Sequence, residues 1–214
     1  MNVFLWILSS FAQPTYNLPH VSPSSGWSVS LGSGVAALRA GPLPAFRGTA
    51  SWNYHNTMVR VTSTSYFGQS TERFDVLSVR HLLINNDSFR LAPTLMFAHH
   101  EGVTSMDQRS TARLGVAMEA GKGKWKWDMS LHAVGASFRQ AKGFEQLSVF
   151  DTVVALESGI RYQIKEDHFF RMGFLGPMPT LQYALPFGTY RLDITGATLG
   201  DQHLLHVDVV YLSK

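Results

Sequence analysis

From residue 26 onward the chain alternates. Large apolar residues and small or polar ones take turns with period two over stretch after stretch, and helical periodicity is hard to find. The clearest stretch is KWKWDMSLHAVGASF at 124–138. Trp125, Trp127, Met129, Leu131 and Ala133 fall on one face of an extended chain there, and Lys126, Asp128, Ser130 and His132 on the other. Eleven further stretches alternate similarly: 26–38, 46–54, 58–67, 74–84, 89–98, 112–120, 152–164, 168–175, 180–185, 190–195 and 203–212. Twelve strands and an all-β fold are predicted.

The connections carry a second pattern. Tight links at His55-Asn56-Thr57, Asn85-Asn86-Asp87, Gly121-Lys122-Gly123 and Lys165-Glu166-Asp167 alternate with longer ones at 67–73, 99–111 and 139–149. With Gly176-Pro177-Met178-Pro179 and Pro186-Phe187-Gly188 read as two further turns, both termini fall at the tight-turn end. Short turns at one end and long loops at the other fit a closed antiparallel transmembrane barrel of twelve strands, with ten as the fallback count. Pro93 lies inside a predicted strand of a ring that has no edge, and a bulge is expected there.

The polar face separates the possible solvents. A soluble sandwich or a lipocalin-like binder would fill it with Lys, Glu and Thr. Here it carries Gly, Ser, Ala and Thr with single charges between them, as a narrow enclosed lumen would. Charged residues make up 15% of the chain, below the roughly 25% typical of soluble domains. The apolar face ends in aromatics: Trp27, Trp52, Tyr54, Trp125, Trp127, Tyr162, Tyr190 and Tyr211, the placement of an interfacial girdle. No apolar run reaches the ~20 residues of a spanning helix.

The net charge of +3 is spread singly, and no nucleic-acid-binding motif is present. With no cysteine, disulfides and thiolate chemistry are excluded. MNVFLWILSSFAQ reads as a short signal peptide over 1–12, although no Lys or Arg precedes its apolar run; a buried N-terminal strand or helix is the alternative. Residues 13–25 then form an N-terminal periplasmic segment, and 26–214 one barrel domain.

In this pattern the chain resembles the bacterial outer-membrane β-barrel proteins over nearly all of its mature length. HLLHVDVVYLSK looks like their closing strand, though it ends in Ser213-Lys214 and not in an aromatic residue. In size and strand count the chain is similar to small twelve-stranded porins that pass acidic oligosaccharides through a basic lumen. The resemblance implies the bacterial outer membrane, with membrane lipids and lipopolysaccharide as surroundings.

The inward face is expected to hold Arg60, Arg80, Arg90, Arg113, Lys126, Arg161, Arg171 and Arg191, with Glu119, Asp128, Glu157, Asp193, Asp208, His132 and His206. Two uses fit them: a basic-leaning path for small anionic solutes, or an ion-pair lattice that plugs a small barrel. Asp128, Ser130 and His132 share one face and are the candidates for a lipid-modifying enzyme. Same-face neighbours stand about 6.6–6.8 Å apart, so a relay would need partners such as Glu119 or Glu157 from adjacent strands. A non-conducting barrel that binds a protein partner through its loops is the third reading. No cofactor is expected. His99-His100-Glu101 and the trio His203, His206 and Asp208 each split across two faces, so no metal site is expected either.

Overall fold

The computed structural model describes residues 26–38, 41–68, 71–101, 107–141, 144–149, 154–165 and 167–213. The expected signal and periplasmic segments, 1–12 and 13–25, lie outside them. Twelve strands form the ring: β1 (Gly26–Leu38), β2 (Gly41–Tyr54), β3 (Thr57–Phe67), β4 (Thr71–His81), β5 (Phe89–Glu101), β6 (Asp107–Ala120), β7 (Trp125–Ala141), β8 (Val154–Lys165), β9 (His168–Leu175), β10 (Met178–Phe187), β11 (Tyr190–Leu199) and β12 (Gln202–Leu212). Each pairs antiparallel with its chain neighbours, and β12 returns to β1 from Ser28↔Leu212 to Ala37↔His203. Near the termini, Ser213 N–H donates to the Trp27 carbonyl over 3.0 Å. Two short strands stand outside the ring, Ile84–Asn85 beside β5 and Phe144–Val149 beside the upper part of β7. The fold is a closed antiparallel twelve-stranded barrel, as the alternation predicts.

Alternation becomes inside and outside. Leu31 is 71% exposed, and Val29, Val61, Leu114, Ile160, Met172 and Leu205 also face out, whereas the residues between them are buried in the lumen. Such an apolar exterior is costly in water and at rest in hydrocarbon. Trp and Tyr pack in pairs on the outside near the end that holds the termini: Trp27 with Tyr211 (ring centroids 5.2 Å apart), Tyr211 with Tyr190 (5.5 Å) and Trp125 with Tyr162 (4.8 Å). They form an interfacial girdle at the terminal end of the barrel.

Three local expectations change. Two of the long links shrink because strands run on, with β4 starting at Thr71 and β5 reaching Glu101, while beyond β7, which reaches Ala141, Phe144–Val149 folds back on it. The connection at 82–88, at the terminal end, is longer than five of those opposite, so the end-to-end asymmetry is weaker than the turn pattern suggests. Pro93 pairs with Val116 in regular register, and no bulge forms there. It falls between the β4 ladder, which stops at Arg80↔Thr94, and the small ladder that starts at Ile84↔Leu91, so its missing N–H breaks no bond to that side. Register shifts come instead in the β6–β7 ladder, between Ala112 and Arg113, and in the β8–β9 ladder, between Gln163 and Lys165. Pro42 and Pro44 lie within β2 on the stretch that has passed the last partner in β3, Tyr66, and so occupy a free edge.

Replacing Leu31 by Arg puts a charge in the middle of the outward band. It is expected to lower stability in lipid vesicles by about 2–4 kcal/mol, read from urea unfolding of the refolded barrel.

Candidate functional site

The lumen is built from every second residue of twelve strands, so its chemistry is set by the parity of each strand. Arg47, Arg60, Arg80, Arg90, Arg113, Lys126, Arg161, Arg171 and Arg191 point inward with Glu72, Glu119, Asp128, Glu157, Asp193 and Asp208. Cations outnumber carboxylates among the described inward residues. The enclosed charges pair, because a bare charge in a low-dielectric interior is strongly disfavoured.

Four arginine-centred groups of pairs form. Arg161 holds Glu119 in a hydrogen-bonded ion pair, and Arg90 Nη1 approaches the other oxygen of that carboxylate at 3.7 Å. Arg171 bridges two strands, gripping Asp128 through Nε and Nη2 and reaching Glu157 at 3.2 Å. Nearer the terminal end Arg191 meets Asp193 as a two-pronged pair, with Nε to Oδ1 at 2.7 Å and Nη2 to Oδ2 at 2.9 Å, and faces Asp167 at 3.5 Å. Arg47 grips Asp208 across β1 in the same fork geometry.

Glycines on the inner face make room for these groups. A Cβ at Gly32 would overlap the Asp208 carboxylate, and one at Gly159 would overlap the Arg171 guanidinium. At Gly34 and Gly115 it would strike the imidazoles of His206 and His132. Each of these polar side chains lies flat over a neighbouring strand that has no side chain at that point.

Of the sequence candidates, Arg80, Arg113, His132 and His206 are almost fully buried in the wall of the lumen. Lys126 sits at the terminal mouth, where Nζ donates to the Asp87 and Gly121 carbonyls at 3.1 Å. Asp128, Ser130 and His132 share the inner face, but Asp128 is held by Arg171, and neither Ser130 Oγ nor either nitrogen of His132 has a hydrogen-bond partner. No nucleophile–base pair is assembled from them. His99 faces out, with Nδ1 2.9 Å from Ser110 Oγ; His100 faces in, its ring stacked on Phe74. His203 is exposed and His206 buried, and among the described residues no cluster of three metal-ligating side chains occurs.

Two features are absent from the predicted set. Arg47 is an inner residue whose acid, Asp208, lies two strands away. At the end opposite the termini, Ala36, Ala45, Tyr66, Phe74, Leu175, Met178, Ala197 and Leu204 form a buried apolar cluster facing the lumen. Its signal was present as parity, since Tyr66 is in phase with Arg60, Thr62 and Thr64, and Phe74 with Ser78 and Arg80. Towards the terminal end, Ser30, Arg47, Ser51, Arg60, Arg191 and Asp208 surround a lumen cavity of about 60 Å³, room for a few water molecules.

No family model matches the chain, and no curated protein does. Solved structures do resemble it. The KdgM porin in complex with disordered oligogalacturonate superimposes with a TM-score of 0.62 at 11% identity, over 86% of this chain and 98% of that one. A NanC porin superimposes with a TM-score of 0.58 at 11% identity, with the same coverage of both chains. At that identity the likeness concerns the fold. A closed barrel with an apolar exterior, an aromatic girdle and a charged interior is an outer-membrane β-barrel, and its place is the bacterial outer membrane.

Arg171→Ala leaves Asp128 and Glu157 enclosed without their shared cation and is expected to cost about 3–5 kcal/mol in detergent-refolded protein. Arg73→Ala, which breaks the half-exposed pair with Asp75 at the rim, is expected to cost under about 1 kcal/mol.

Proposed function

We propose that the protein is a narrow outer-membrane channel for small anionic solutes. The observation that carries this reading is the excess of guanidinium over carboxylate along an enclosed twelve-strand lumen. Five of the six inward carboxylates are held by arginine and Glu72 lies beside His100, so the net positive charge of the lumen sets the potential that an entering ion meets. Because Asp208, Arg171, His132 and His206 lie flat over inner glycines, the wall occupies less of the bore than its charge content implies. Oligogalacturonate, with which the KdgM structure is in complex, is a chain of carboxylates, and the same solute chemistry suits a basic lumen. Export by residues 1–12, with 13–25 left in the periplasm, belongs to this reading; β1 starts at the end that carries the aromatic girdle.

A second reading has its own support. The cavity of about 60 Å³ and the buried ion pairs also suit a sealed barrel that serves as a scaffold. Planar-bilayer recording separates the two. The channel is expected to pass chloride in preference to potassium, and Arg60→Glu, which reverses one charge at the lumen cavity, is expected to move the reversal potential towards cation selectivity. His132→Ala is expected to leave conductance intact. A refolded, heat-modifiable barrel that carries no current sinks the channel and leaves the scaffold.

A further inference from the structure

We infer that the outer half of the lumen is a selectivity site for small organic monoanions that carry a ring or another apolar body, in preference to bare inorganic anions and to chains of carboxylates. The inference rests on the channel reading and narrows its substrate.

Three layers follow one another from the end opposite the termini. The first is the apolar collar. Phe74 stacks on the His100 imidazole with ring centroids 4.3 Å apart, Tyr66 meets Phe74 edge-on at 5.9 Å, and Met178 and Leu204 complete the wall, all of them buried. The second is one ladder level that carries polar groups between two charged ends, Arg171 beside Gln182 and Glu72 beside Tyr66, with the Glu72 carboxylate 3.5 Å from His100 Nε2. Gln182 pairs with Thr195, Thr195 with His206, His206 with Gly34, Gly34 with Ala45 and Ala45 with Tyr66. In that row Tyr66 Oη, both nitrogens of His206 and Gln182 Oε1 are buried without a hydrogen-bond partner, and the Tyr66 and His206 rings lie 6.4 Å apart. The third is the next inward level of the same strands, where Arg47 and Asp208 flank Gly32.

Each layer asks something different of a solute. A hydrated chloride or acetate ion must shed water at the collar, where nothing replaces it. An oligomeric acid would leave carboxylates in the collar while its leading end reached Arg47. A ring-bearing monoanion sheds the same carboxylate water, but the packing of its body against the collar offsets that cost. Its body packs on Phe74, Met178 and Leu204, its hydroxyl or carbonyl groups find the open valences of Tyr66, His206 and Gln182, and its carboxylate reaches the guanidinium of Arg47. Unpaired polar atoms buried this deeply are uncommon in folded proteins, and a passing solute gives them a partner.

The test uses the full refolded chain in planar bilayers, with benzoate, acetate and trigalacturonate added to the outer side of a chloride current. Benzoate is expected to reduce the current by half at a concentration about tenfold below acetate, since one aromatic contact is worth up to ~1.5 kcal/mol. Trigalacturonate is expected to need more than benzoate. Phe74→Ala is expected to raise chloride conductance and abolish the tenfold preference, while Tyr66→Phe keeps the collar and lowers only the affinity for hydroxybenzoate. Should Phe74→Ala not refold to a heat-modifiable form, Phe74→Leu, which keeps bulk without the aromatic face, is expected to lose the preference as well. A wild-type channel that selects anions but responds equally to benzoate and acetate, or more strongly to trigalacturonate, overturns this inference and leaves the channel reading standing. An absence of anion-selective current removes both.

Discussion

A strand in hydrocarbon has no water to satisfy its amides, so every backbone N–H and C=O in the span must find another strand. That requirement is met here by the pairing of β7 with β8, from Ala133↔Val154 to Trp125↔Tyr162, and by the return of β12 to β1. Once the ring closes, the two sides of each strand lie in different solvents and the period of two becomes a radial sorting rule. The polar side is also enclosed, and a charge placed there must be answered by another. The pairs Arg161–Glu119, Arg171–Asp128 and Arg47–Asp208 are thus consequences of closure.

Crowding follows from the same constraint. Twelve strands leave a bore that guanidiniums and imidazoles could fill outright. The inner glycines at 32, 34, 115 and 159 prevent that by letting the side chain across the ladder lie along the wall. Bore and stability are coupled through these positions, because a methyl group at any of them would push the facing side chain towards the axis, and at 32 and 159 would also disturb an ion pair.

The architecture was legible in the sequence because parity survives even where strand ends do not. Trp125 to Ala133 read correctly residue by residue, and so did Leu156 to Gln163, since a one-residue slip would have turned Arg161 or Asp128 into the lipid. Strand ends were less legible. Pro42 and Pro44 look like breakers, but the chain there has outrun β3 and needs no second partner, a fact about neighbour length that local sequence does not hold. Pro93 was misread for the same reason. Within the lumen, single charges were recognisable, but pairings were not: the acid of Arg47 is 161 positions away and becomes its partner only through the β12–β1 seam. Tyr66, Phe74 and Leu175 were passed over because apolar residues suggest lipid, and only their phase with Thr64, Ser78 and Arg171 tells that they face inward.

The wall is not of even height. β7 has 17 residues and β9 only 8, which at about 3.4 Å per residue gives strands of very different reach. Tilted by ~40°, β9 lifts its side chains through roughly 21 Å, less than the ~25 Å apolar band of a typical outer-membrane barrel. Phe170, Met172 and Phe174 on that strand thus offer lipid a shorter apolar strip than the β5–β7 side does. The bilayer has to dip along β9 and recover around the rest of the circumference. A barrel that thins the membrane on one side has a preferred orientation towards anything else that deforms it, so neighbouring proteins would meet this one along a defined azimuth and not at random.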